Sequence, residues 1–179
     1  MQKRTARRTD YEKLYDFYRR VTEQQASDTY GPDWHLGIYP SAQDLKNHIA
    51  NKEFYIGLID EEIAAAGVLT SGEDPIYAKA NWPIRHDDEQ ITVLHLFAVD
   101  PKQRGKGCSG EMLEYLIAKA RKKGFKAIHL DVVEGNLPAE KLYRKHGFEY
   151  TQTIEVYYED TGLIRVDLFS RELTVENDV

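Results

Sequence analysis

The segment that most constrains this chain is Ile91 to Val99, an almost wholly apolar run stopped by Asp100-Pro101. A run this short, rich in β-branched and aromatic residues, reads as a strand buried on both faces. Gly105-Lys106-Gly107 follows, and then Met112, Leu113, Leu116, Ile117 and Ala120 recur at helical spacing. Lys122-Lys123-Gly124 closes that helix with C-terminal cations and a glycine suited to a left-handed cap. Ala127 to Val133 is a further strand. A strand–helix–strand crossover therefore occupies the centre of the chain, and a site is expected there.

The rest of the sequence is arranged around that unit. Thr9 and Glu12 predict a capping box for a first helix that turns Leu14, Phe17, Tyr18 and Val21 inward. Gly31 to Pro40 reads as an aromatic loop, and Ser41 with Asp44 opens a short second helix carrying Leu45 and Ile49. Residues 53–59 and 63–70, split by Asp60-Glu61-Glu62, predict a hairpin. Tyr77 to Trp82 is expected as a short strand or edge. Asn136 to His146 predicts a helix ending at Gly147, and strands near 148–158 and 163–170 predict a closing hairpin.

With 179 residues, no internal repeat and no long linker, the chain is expected to be one domain, residues 1–179 with a core of about 3–173. No apolar run approaches the ~20 residues that span a bilayer. The basic N-terminus precedes no apolar stretch, which argues against a secretory signal. Cys108 is the single cysteine, so an internal disulfide is excluded and a reducing cytoplasm fits. A formal net charge of -6 argues against a general grip on nucleic acid, although basic residues cluster near the N-terminus and from Lys102 to Lys126.

The glycine loop carries the first chemical signal. Backbone N–H groups at a helix N-terminus, approachable because glycine lacks a Cβ, make a phosphate or pyrophosphate site, and Arg104 and Lys106 add positive charge. Gly105 to Gly110 also fits G-x-G-x-x-G, with Asp131 near the acidic position of a dinucleotide fingerprint. Two features disfavour that reading: Asp100 to Arg104 separate the strand from the first glycine, and the chain ends in a hairpin rather than further strand–helix–strand units. A Walker A loop fails, because no lysine-serine or lysine-threonine pair closes the run.

Val99-Asp100-Pro101-Lys102-Gln103-Arg104-Gly105-Lys106-Gly107 resembles motif A of the GNAT N-acetyltransferase superfamily, Q/R-x-x-G-x-G/A. Asn136 to Phe148 resembles its motif B, N-x-x-A-x-x-L-Y-x-x-x-G-F. Ser109 departs from the last motif A position, which is normally Gly or Ala. The resemblance implies an α/β (α+β) GNAT fold, with a mixed, mostly antiparallel twisted sheet and helices on both faces. It implies acetyl-CoA as cosubstrate, an amine as acceptor and no metal. Homodimers are common in the family; no interface is read from this sequence.

The resemblance also assigns residues. The CoA pyrophosphate would rest on the amides of Arg104, Gly105, Lys106, Gly107, Cys108 and Ser109. The pantetheine arm would pair like a strand with Phe97, Ala98 and Val99. Asn136 would face CoA, and its position equally suits a helix N-cap. Tyr143, two helical turns on, would protonate the departing thiolate. His95 is the preferred base for the amine: alternation along the strand puts it on the face of Phe97, and histidine titrates in the useful range. The strand Leu94 to Val99 resembles that of arylalkylamine N-acetyltransferases, where a histidine is linked to proton removal. A core histidine is the competing reading, and Asp87, Asp88 and Glu89 are weaker alternatives. Trp34, Tyr39, Tyr77 and Trp82 are candidate walls for an acceptor pocket. Asp131 reads as structural, and Cys108 receives no catalytic role.

The leading functional expectation is direct acetyl transfer to a primary amine of a small molecule, a peptide N-terminus or a lysine. The alternatives are a non-catalytic CoA-binding regulatory module and a tRNA-acetylating toxin, the latter disfavoured by the net charge.

Overall fold

A computed structural model of the chain describes residues 1–173. Seven strands form one sheet in the order β1-β2-β3-β4-β5-β7-β6. They are β1 (Gln2–Thr5), β2 (Phe54–Ile59), β3 (Glu62–Ser71), β4 (Ile91–Val99), β5 (Ala127–Val133), β6 (Glu149–Tyr158) and β7 (Gly162–Glu172). Every neighbouring pair is antiparallel except β4 and β5, which are joined by the helix α3 (Cys108–Lys122). The remaining α-helices are α1 (Tyr11–Gln25), α2 (Ala42–Ala50) and α4 (Leu137–Lys145).

The α/β architecture with helices on both faces is as the motifs imply. Met112, Leu113, Leu116 and Ile117 of α3 pack with Leu69, Leu94, Ile128 and Phe169 on one face. Leu14, Phe17, Tyr18 and Val21 of α1 and Leu45 and Ile49 of α2 pack with Phe54, Ile56, Leu96 and Ala98 on the other. Each buried aliphatic or aromatic side chain contributes roughly 1.5–3 kcal/mol, so these two layers hold the sheet flat against its helices. With a single parallel pair and a closing hairpin, the described residues exclude the dinucleotide-binding topology.

Three local expectations are corrected. The Thr9–Glu12 capping box is not formed. The Asp10 carboxylate accepts Arg7 N at 2.7 Å and the Arg4 guanidinium at 2.7 and 2.8 Å, so a 3-10 turn at Arg8–Asp10 leads into α1 instead. Tyr77 to Trp82 is neither strand nor edge: Asp74 caps Ile76 N, and Pro75–Tyr77 forms a 3-10 turn followed by loop. The strand β1 was not expected, because Gln2-Lys3-Arg4-Thr5 shows no apolar alternation; it pairs with β2 along the sheet edge.

One irregularity positions everything that follows. The β3–β4 register runs Ala66↔Ala98 and then Val68↔His95, so β4 carries an extra residue there. Leu96 takes φ 52, a left-handed conformation uncommon outside glycine. The fully buried Tyr18 donates its hydroxyl to Leu96 O at 2.5 Å and fixes this bulge from α1.

Candidate active site

The two central strands part company early. β4 and β5 pair only at Ile91↔Ala127, Thr92↔Ile128 and Val93↔His129. Among the described residues the edge of β4 that faces β5 has no strand partner beyond Val93, although β5 stays paired to β7 as far as Val133↔Val166. A cavity of about 390 Å³ occupies this splay. Leu94, His95, Leu96 and Phe97 line it from β4, Asp131, Val132 and Val133 from β5, and Asn136, Ala139 and Tyr143 from the start and inner face of α4. Loops complete it with Pro32, Trp34, Tyr39, Asp74, Ile76, Asp160 and Thr161.

The bulge overturns one expectation about His95. Leu94 and Phe97 both pack on the α3 face, and Leu96 packs on the α1 face. Simple alternation is broken between them, so His95 and Phe97 do not share a face. His95 instead lies toward Asp74, with Nε2 3.7 Å from Asp74 Oδ2. Burial lowers its pKa below the ordinary 6.5, a shift opposed by the negative charges of Asp131 and Asp74. A neutral imidazole facing the cavity is therefore the prevailing form at neutral pH.

Tyr143 sits with its ring among Phe97, Phe148 and Phe169, at centroid distances of 6.1, 5.5 and 6.4 Å. Among the described residues its hydroxyl has no hydrogen-bond partner, so it is a free donor into the cavity. Burial, assisted by the charge of Asp131, raises the phenol well above its usual value and keeps the proton in place. Asn136 is the N-cap of α4, its Oδ1 accepting Ala139 N at 3.4 Å, and it also lines the cavity.

The glycine loop closes the far end of β4. Gly105 and Gly107 have φ 74 and 82 with open space where a Cβ would stand, a conformation glycine adopts without strain. Residues 104–107 are exposed, α3 begins at Cys108, and the first-turn amides of a helix have no intrahelical partners. The Arg104 side chain is engaged by Asp28 at 2.6 Å and Lys106 Nζ by Lys102 O at 2.8 Å. What this loop offers is main chain. Cys108 is buried beneath it, and Ser109 is half-buried. Ala98 and Val99 lead from the splay to the loop and pack on opposite faces of the sheet.

Of the four candidate wall aromatics, Trp34 and Tyr39 line the cavity and Tyr77 and Trp82 do not. Tyr77 is buried and donates its hydroxyl to Asp131, and Trp82 stacks on His129 with centroids 3.7 Å apart. Asp87, Asp88 and Glu89 lie outside the lining, with Asp88 Oδ1 accepting Glu73 N at 2.7 Å. Sequence reasoning missed Asp74 and Asp160 and gave Asp131 a structural role only. Asp131 faces the cavity, holding the hydroxyls of Tyr77 and, at 3.1 Å, Tyr158. Burial raises its pKa, opposed by the Tyr77 hydrogen bond and by His95. The signal that could have found it was positional, since it lies across the splay from His95 on the partner strand.

The fold has solved counterparts. An acetyltransferase of the GNAT family from Streptococcus agalactiae 2603 superposes with a TM-score of 0.80 at 18% identity, covering 97% of this chain and 96% of that one. The structure of yncA from Salmonella typhimurium with its cofactor acetyl-CoA gives 0.69 at 15% identity, covering 98% and 95%. A family model described as "Acetyltransferase (GNAT) family" matches residues 11–148. A Bacillus subtilis (strain 168) protein named as a ribosomal protein bS18-alanine N-acetyltransferase is 30% identical over 76 residues, 42% of this chain and 48% of its own length. The N-acetyltransferase MJ1207 of Methanocaldococcus jannaschii is 28% identical over 75 residues, 42% of this chain and 33% of its own length. The matched regions thus span a third to about half of these curated relatives.

Proposed function

The chain belongs to the GNAT acetyltransferase family, and from that premise we propose that it transfers an acetyl group directly from acetyl-CoA to a primary amine. The observation that carries this reading is the free β4 edge, which runs from the glycine loop to a cavity lined by the Tyr143 phenol and the His95 imidazole. The single sheet of the described residues supports treating residues 1–179 as one acetyltransferase domain.

In this reading the amides of Arg104 to Ser109 hold the pyrophosphate. The main chain of Phe97, Ala98 and Val99 takes the pantetheine arm as an added strand. Asn136 stands beside that arm and Tyr143 beside the sulfur. His95 takes a proton from the incoming ammonium and so frees its lone pair. The nitrogen forms its bond to the acetyl carbon, the carbon–sulfur bond breaks, and the nitrogen sheds a second proton. Tyr143 gives its proton to the departing thiolate and recovers one from the protons released. The sum is an ammonium and acetyl-CoA in, an amide, CoA thiol and one proton out.

Thiol release from acetyl-CoA against a panel of amines, amino acids and peptides tests this. Wild type is expected to turn over at least one acceptor class, and Tyr143→Phe to lose about 100-fold in kcat with acetyl-CoA affinity retained. Tight acetyl-CoA binding without turnover of any acceptor would instead indicate a CoA-binding regulatory module.

A further inference from the structure

Beyond Tyr143 the cavity wall carries three carboxylates and the imidazoles of His48 and His95. Asp74, Asp131 and Asp160 line it, and among the described lining residues there is no lysine or arginine. Asp160 comes from the β6–β7 turn. Its side chain is only 4% exposed, and its hydrogen bond among the described residues is from His35 N at 3.3 Å. The next residue, Thr161, also lines the cavity, with a buried Oγ1 that has no hydrogen-bond partner among the described residues. Asp160 Oδ2 also lies 3.8 Å from Nδ1 of the half-exposed His35, the one imidazole against this buried carboxylate among the described residues. A bound ammonium offsets the cost of burying the carboxylate and the unpartnered hydroxyl. Burial chiefly, and with it the charges of Asp131, Asp44, Asp74 and Asp160, hold the Tyr39 phenol above its usual value.

The reacting nitrogen accounts for only part of this charge. Asp74 and Asp131 flank His95, where an ammonium arrives and is deprotonated. Asp160 comes from the β6–β7 turn, against the loop of the half-exposed His35, and among the described residues no ion pair or hydrogen bond joins it to His95. Trp34, Tyr39 and Tyr158 supply ring faces and edges around the same space, which suits an aliphatic cation. A volume of about 390 Å³ suits a small molecule. An acceptor with a carboxylate near its amine would meet three like charges.

We propose that the acceptor is a small aliphatic diamine or polyamine, acetylated on one nitrogen beside His95 and Tyr143 while a second, still protonated nitrogen is held by Asp160. The inference rests on the acetyl-transfer reading above.

Three compounds of matched length test it: 1,4-diaminobutane, n-butylamine and 4-aminobutanoate. The diamine is expected to exceed n-butylamine in kcat/KM by about tenfold or more, with 4-aminobutanoate the poorest. In Asp160→Asn the diamine-to-monoamine ratio is expected to fall toward one. Equal rates for diamine and monoamine in the wild type, or a ratio unchanged in Asp160→Asn, would overturn the inference and leave acetyl transfer standing. If none of the three is turned over, calorimetric titration into the CoA-bound protein separates the two ideas. Tighter binding of the diamine upholds the cation site without the catalysis, and equal binding removes the cation site as well.

Discussion

His95 and Tyr143 reach the same cavity from different elements, and burial acts on them in opposite directions. Burial removes water from both and favours the neutral form of each, which lowers the imidazolium and raises the phenol. The pair then holds one vacant basic nitrogen and one retained proton at neutral pH, the combination that proton removal and thiolate protonation require. A pH dependence follows from the direction of the His95 shift. Activity needs the neutral imidazole, so the acid limb of kcat/KM is expected below pH 6.5, and His95→Gln is expected to lower the rate and flatten that limb. A pH profile of the variant that keeps both rate and limb would return His95 to the core. The motif spacing made Tyr143, Asn136 and the glycine loop legible in the sequence, since all are carried by short local patterns. The acid wall was not legible, because Asp74, Asp131 and Asp160 come from three distant segments and only the fold brings them together.

At the scale of elements, the bulge in β4 separates what the sequence could say from what it could not. The apolar run predicted the strand over residues 91–99, and burial of Val93, Leu94 and Leu96 agrees. Period-two alternation has no means of announcing an inserted residue, so the face of His95 was misassigned. What holds the bulge comes from α1, where Tyr18 donates to Leu96 O. Tyr18→Phe leaves that buried carbonyl without its donor, and a loss of about 1–3 kcal/mol in denaturant unfolding is expected. A larger fractional loss of kcat/KM than Leu14→Ala or Val21→Ala changes of similar destabilisation on α1 would identify Tyr18 as a positioning residue. Equal losses would reduce it to packing. The same contrast of local and non-local cause explains α1 itself: its apolar stripe was readable, but its start is set by Asp10 and the Arg4 guanidinium from the edge strand rather than by Thr9.

For the whole molecule, the two hairpins, the central crossover and the helical stripes follow from patterns strong enough to read. The sheet order, with β7 between β5 and β6, does not, and neither does the polar strand β1, held by backbone pairing and by Lys3 and Arg4 ion pairs. The net charge of -6 excluded little about a local site: the same chain presents exposed main-chain donors at the glycine loop and a carboxylate wall at the other end of the splay. These two ends divide the labour. Oriented amides suit a polyanion, the unpaired strand edge suits an amide-bearing arm, and the acidic cavity suits an ammonium. Among the described residues no helix is long and apolar enough to cross a membrane.

Amide hydrogen exchange with and without acetyl-CoA tests the account most directly. Protection is expected in two stretches at once, the loop and first turn of α3 at residues 104–110 and the free edge of β4 at residues 94–99. Binding of acetyl-CoA that leaves both stretches unprotected would contradict the placement on which the proposed chemistry depends.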